Sequence, residues 1–172
     1  LFAIDFESGQ TRWTFDVEGP IKGTPAVWEN NVYFSSWDGN FYKIDGFGKL
    51  VWKVSIDRSQ SSATFSKSLG LAFVSGNSGK TFAIKLNTGE KVWEHSGVGP
   101  FLSSPVLVID SKTRKEALYA NCLTFSICQF DPKMGRITRQ YRFDSRVSSV
   151  PLIHNGKLFV APDSVGGLVK WY

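Results

Sequence analysis

The sequence predicts an all-β propeller assembled from radial sheets of four antiparallel strands. Three observations carry that prediction. A short cassette ending in tryptophan recurs at a steady interval, with Trp13, Trp52 and Trp93 standing 39 and 41 residues apart. The segments between are short and alternating, with turn residues at every joint. No stretch keeps the periodicity of a capped helix, so essentially no α-helix is expected. The 172 residues are 42% hydrophobic and 20% charged, a globular balance that can fill a core. Aromatics reach 15%, and such rings suit half-buried strand faces.

Each unit reads as four strands. The first is rich in small residues and begins near a Ser/Thr-Pro or Ser-Ser step: Gly23 to Val27, Ser61 to Phe65, Ser103 to Leu107 and Ser148 to Ile153. The second alternates, as in Val32-Tyr33-Phe34-Ser35-Ser36 and Leu71-Ala72-Phe73-Val74-Ser75-Gly76. The third follows a tight turn such as Asp38-Gly39, Ser78-Gly79 or Asn155-Gly156. The fourth carries the cassette: Asp5 to Phe15, Asp45 to Val54 and Lys85 to His95, each with a glycine four residues before tryptophan (Gly9/Trp13, Gly48/Trp52, Gly89/Trp93). A fourth copy, Asp131 to Phe143, keeps Gly135 but has Arg139 at the tryptophan position and Tyr141 two residues on. Four landmarks repeating together describe propeller blades better than a sandwich.

On this reading residues 1–15 supply the outer strands of one blade, and 20–55, 60–96 and 101–143 are complete blades. Residues 147–172 begin another, with Gly166 to Tyr172 as its third strand. The chain starts at Leu1 and its sole methionine is Met134, so it is expected to be a piece of a longer protein. Closing it as a four-bladed ring would supply a third strand twice, which favours a segment of a larger ring. Apolar blade faces left open at both ends would then be covered by further blades or by self-association.

Regularly spaced tryptophans invite a ligand-stacking role. On an outermost strand, however, an indole is better placed to cover the seam between blades and give its N–H to a neighbouring carbonyl. Gly9, Trp13, Gly48, Trp52, Gly89 and Trp93 are therefore expected to be structural docking residues, and the Arg139/Tyr141 seam to be sealed differently. Asp5, Asp45 and Asp131 precede the turn glycine, where a carboxylate caps backbone N–H groups; Asp38 and Asp163 sit at comparable joints. No carboxylate pair is spaced for acid–base work, and no serine occupies a G-x-S-x-G elbow. His95 and His154 lack metal-ligand spacing and are expected at the surface or on edge strands. Cys122 and Cys128 could geometrically form a disulfide, but two reduced core thiols are the expectation.

The net charge of +5 is spread along the chain and no apolar run approaches the ~18 residues of a membrane span. An insertion, Asp110 to Glu116, lengthens the first hairpin of the third complete blade and adds Lys112, Arg114 and Lys115. These are solvated loop residues or a contact for an acidic partner. Basic residues are not interleaved with exposed aromatics in any nucleic-acid-binding module, so no nucleic-acid partner is expected.

The cassette D/K-x-x-(x)-G-x-x-x-W, preceded by a Ser/Thr-Pro strand and a Asp-Gly hairpin, resembles the PQQ-like propeller repeat of the quinoprotein dehydrogenase-like family over nearly the whole chain. The resemblance is specific for fold, not activity. Similar propellers occur in quinoprotein dehydrogenases, in outer-membrane assembly lipoproteins that bind other proteins, in stress-sensor luminal domains and beside acyl-activating enzymes. The dehydrogenases hold PQQ with calcium or a lanthanide, an adjacent-cysteine disulfide and an Asp base; here no two cysteines adjoin. The resemblance therefore implies a non-enzymatic binding or scaffolding propeller for a protein or small ligand, without a cofactor. A fragment of a PQQ-dependent alcohol or sugar dehydrogenase, with PQQ and calcium, is the alternative. It also implies a periplasmic or otherwise extracytoplasmic setting, with a cytoplasmic one left open.

Overall fold

Every regular element in the described residues of the computed structural model (1–123, 125–154 and 156–163) is a strand. Each alternating segment meets a turn within a few residues and returns beside itself, so the pairings are antiparallel and join consecutive strands. β1 (Phe2–Ile4) pairs with β2 (Thr11–Thr14). β3 (Ala26–Trp28), β4 (Asn31–Ser35), β5 (Asn40–Asp45) and β6 (Leu50–Ser55) form one four-stranded sheet. A second contains β7 (Thr64–Ser66), β8 (Leu71–Gly76), β9 (Lys80–Lys85) and β10 (Lys91–Ser96), and a third β11 (Val106–Ile109), β12 (Glu116–Leu123), β13 (Ser126–Phe130) and β14 (Ile137–Arg142). β15 (Leu152–His154) and β16 (Lys157–Phe159) pair at the end; Gly166 to Tyr172 lies outside the described residues.

The core lies between sheets rather than within one layer. Phe34, Tyr42 and Ile44 pack under Trp13 and Phe15 of the first hairpin. Tyr33, Phe41 and Trp52 of the first complete sheet pack against Ala72, Val74, Phe82 and Ile84 of the second. Phe73 and Ala83 of the second meet Leu118, Cys122, Cys128 and Phe130 of the third. A middle strand is thus covered on both faces, which explains why β8 is buried along its whole length and reads as a nearly unbroken apolar run.

Small hydroxyl residues tie neighbouring sheets where the first strands converge. Ser35 Oγ donates to the Ser61 carbonyl (2.8 Å), Ser104 Oγ accepts from the Ser62 N–H (2.8 Å), and Asn121 Nδ2 donates to the Val147 carbonyl (2.9 Å). Ser35, Ser61 and Asn121 are buried, so each bond satisfies groups that water cannot reach. Nothing larger would let the strands approach: a Cβ on Gly23 would stand 2.7 Å from the Gln60 carbonyl oxygen.

One expectation is corrected. Cys122 and Cys128 are joined in a disulfide, not reduced. The short connection between β12 and β13 folds the strands back at once, and an irregularity between Asn121 and Leu123 leaves Cys122 out of the direct pairing. The two Cα atoms come to 5.6 Å, inside the bridging range. Both residues are fully buried in the seam between the second and third sheets. Removing the bridge with a Cys122→Ala/Cys128→Ala double variant is expected to lower stability by about 2 kcal/mol. Denaturant midpoints under non-reducing conditions measure this, and the unmodified protein should show no reactive thiol until reduced and unfolded.

Candidate functional site

The tryptophan cassettes place their indoles by a shared backbone irregularity. Trp13, Trp52 and Trp93 stand opposite Ala3, Lys43 and Ala83, and in each case the residue just before the indole has no partner across the strand pair. These extra residues are Arg12, Val51 and Val92; in the fourth cassette Thr138 is extra and Arg139 faces Gln129. A bulge of this kind twists the strand locally and re-aims the side chain that follows. The indole then points across the seam.

What it meets is the glycine turn of the next cassette, not its own. An added Cβ on Gly48 would lie 2.7 Å from the Trp13 ring, on Gly89 2.8 Å from Trp52, and on Gly135 2.6 Å from Trp93. Each indole N–H donates to a carbonyl of that same turn: Trp13 Nε1 to Gly46 (3.0 Å), Trp52 Nε1 to Leu86 (3.2 Å) and Trp93 Nε1 to Pro132 (2.9 Å). The glycines also hold φ of +82°, +75° and +68°, a region that other residues seldom adopt. Gly9 has the same backbone (φ +70°), yet nothing lies within 4 Å of its Cβ position. Of the docking residues, the structure therefore joins Trp13 to Gly48 and Trp52 to Gly89, brings Trp93 to Gly135, and leaves Gly9 open. The Gly-to-Trp spacing of one cassette carries no signal for this pairing between cassettes.

The fourth cassette has no indole: Arg139 and Tyr141 of β14 stand opposite Gln129 and Ile127 of β13 in the same sheet. Elsewhere aromatic contacts stiffen the seam. Trp93 stacks across on Phe130 (6.4 Å, 16°), and within the first sheet Tyr33 braces Trp52 (5.9 Å, 64°). His95 meets Phe130 edge-on (5.0 Å, 70°), and burial holds its imidazole below the ordinary histidine value.

The recurrent aspartates are turn caps. Asp45 accepts from the N–H groups of Phe47 and Lys49, Asp131 from those of Lys133 and Met134, and Asp110 from those of Lys112 and Thr113. Asp5 is held down to about 2 by the Ser8 N–H and the Arg12 guanidinium. Burial opposes the ionisation of Asp38, but bonds from Tyr42 and Asn40 outweigh it and keep the carboxyl below its usual range. Asp163 accepts from Ser148. These carboxylates are occupied by the backbone they organise.

The hairpins β3–β4, β5–β6, β7–β8, β9–β10, β11–β12 and β13–β14 emerge at one end of the sheets, and the basic loop lies there. Lys112, Arg114 and Lys115 are exposed at the β11–β12 hairpin, and Arg114 takes φ of +59°. The base of this loop is fastened to the neighbouring hairpin, where Ser66 and Ser68 donate to Glu116 (2.5 and 2.7 Å). Beside it opens a groove of about 570 Å³ walled by Trp28, Leu69, Leu71 and Val92, with Lys67, Lys85 and Lys133 at its edge. No sequence pattern joins these residues: Trp28 comes from the first four-stranded sheet, Leu69, Leu71 and Val92 from the second, and Lys133 from the third.

Comparison with known proteins places this architecture. The family profile described as outer membrane protein assembly factor BamB matches residues 1–114. The chain belongs to the PQQ-like β-propeller repeat family. Over 179 aligned residues it is 25% identical to tetrathionate hydrolase of Acidithiobacillus ferrooxidans, covering 93% of this chain and 36% of that protein. BamB from Moraxella catarrhalis superposes with a TM-score of 0.73 at 20% identity, over 90% of this chain and 47% of that one. A quinohemoprotein alcohol dehydrogenase from Comamonas testosteroni gives 0.67 at 18% identity, over 92% and 36%. The chain spans less than half the length of each of these proteins.

The donor set that a PQQ-like dehydrogenase needs is not supplied by the described residues. Cys122 and Cys128 are six residues apart and sealed in a seam, and no three His, Cys, Asp or Glu side chains converge. What the described PQQ-like repeats display is the seam.

Two outcomes follow. Gly89→Ala and Gly9→Ala impose similar backbone strain of ~1–2 kcal/mol, but only the first also collides with an indole. Gly89→Ala is expected to cost at least ~1–3 kcal/mol more than Gly9→Ala in equilibrium unfolding. Because burial lowers the folded-state pKa of His95, the unfolded chain binds the proton more readily. Its contribution to stability is present above the ordinary histidine value and is lost as pH falls through the lower, folded value. Denaturant midpoints between about pH 7 and about pH 5 should fall, and His95→Gln should make that slope shallower.

Proposed function

We propose that this chain is a non-enzymatic binding and scaffolding propeller that presents its hairpin face to a protein partner and carries no resident quinone. The observation behind the reading is the division of labour among its polar side chains. Recurrent carboxylates cap turns, recurrent hydroxyls tie sheets, and recurrent indoles cross seams. By contrast, the Lys112 ammonium and the Arg114 guanidinium on the hairpin face have no partner among the described residues. Cations held in this way, beside an open apolar groove, are suited to steering and seating an acidic surface. Membership of the family whose profile is described as an outer membrane protein assembly factor supports the same reading. The likeness to a quinohemoprotein dehydrogenase is one of fold.

The test pairs two measurements on the purified protein. A partner captured by the wild-type chain should be lost when Asp110–Glu116 is replaced by a two-residue turn, and added PQQ with calcium should leave the quinone spectrum unbound. Retention of the partner by the shortened variant, or a bound quinone bleached by an alcohol or aldose, would overturn the proposal.

A further inference from the structure

We propose that the groove on the hairpin face binds an extended, acidic peptide segment that seats a bulky apolar side chain between Trp28, Leu69 and Val92. This deepens the protein-binding reading and rests on it. At about 570 Å³ the groove falls among volumes that hold real ligands. Its walls are fixed before any ligand arrives. Trp28 is stacked on Phe65 at 5.2 Å and 23°, and Leu71 is part of the buried core between sheets. Val92 is the extra residue of the bulge that sends Trp93 into the seam, and the same backbone step leaves Val92 43% exposed on the groove wall. An apolar wall held rigidly open to solvent favours an apolar anchor at little ordering cost.

Charge selects what surrounds that anchor. The ammonium groups of Lys67 and Lys133 have no partner among the described residues, while that of Lys85 is shared with Glu90 at 2.7 Å. Glu29 is the one carboxylate lining the groove; its charge acts on Lys43, whose ammonium donates to the Leu86 carbonyl. The Ser66 and Ser68 bonds to Glu116 set the basic Asp110–Lys115 loop beside the same rim, so the positive edge continues past the groove. A ligand with carboxylates flanking an apolar residue matches this order of surfaces. Nucleic acid matches it less well, because the only aromatic ring lining the groove is already stacked on Phe65.

The experiment is a fluorescence-anisotropy titration of the full chain with a labelled peptide of about ten residues alternating Glu with Leu and Phe, long enough when extended to cross the groove. Its Glu→Gln counterpart, a Glu/Ser peptide and a single-stranded oligonucleotide are titrated in parallel. Saturable, salt-sensitive binding of the Glu/Leu/Phe peptide is expected, weakened roughly tenfold by Lys67→Glu/Lys133→Glu and by Val92→Asp. Circular dichroism confirms that these surface variants stay folded. No saturation, equal binding of the Gln or Ser peptide, tighter binding of the oligonucleotide, or indifference to the variants would overturn the assignment. If the peptide fails while partner capture still depends on the Asp110–Glu116 loop, the groove assignment falls alone. If capture is indifferent to that loop, the broader reading falls with it.

Discussion

The contact on which the architecture depends is an indole laid over a glycine, with its N–H bound to a carbonyl of that glycine's turn. Three such contacts recur with nearly the same geometry, and each joins one sheet to the next. The requirement is mutual. The tryptophan needs a bare Cα beneath it, and the turn needs a residue that accepts positive φ; glycine answers both at once. At Trp52 and Trp93 the bond is partly buried, where water competes with it less. The apolar clusters then fill between sheets already held at the correct separation.

Near the axis the same problem is solved with different chemistry. Where the first strands approach one another, buried serines and Asn121 bind the neighbouring backbone. The first and second four-stranded sheets, and the second and third, are thus fastened twice, by serine hydroxyls and by an indole. In an array of repeats that contact only their neighbours, such nearest-neighbour terms carry much of the stability. The fourth cassette carries Arg139 where the others carry tryptophan, so it offers no indole for such a clasp.

Much of this was legible in the sequence because repetition reports on sheets directly. Four landmarks in constant order predicted an all-β propeller, and the alternating segments identified the middle strands. The turn role of Asp45 and Asp131 followed from their place ahead of a glycine. Other features were hidden for physical reasons. Which glycine a given indole covers is a relation between units, while a cassette records only spacing within one. The bulge ahead of each tryptophan changes no residue type, as Arg12, Val51, Val92 and Thr138 have nothing in common. The disulfide depended on how sharply one hairpin returns, a matter of register. The groove is assembled from hairpins of separate sheets, and its lysines look like any solvated charge until neighbouring walls are seen.

The bulge has an evolutionary corollary. By inserting one unpaired position before each clasp, it creates a site whose side chain faces outward, away from the seam; at two of the four that side chain holds its own sheet, Arg12 on Asp5 and Thr138 on the Gln129 carbonyl. Arg12, Val51, Val92 and Thr138 are all exposed, and they differ in size, charge and polarity. Where the side chain makes no such bond, as at Val51 and Val92, the position can be rewritten while the scaffold stays untouched. A propeller of this construction can therefore diversify what it recognises without eroding what keeps it folded.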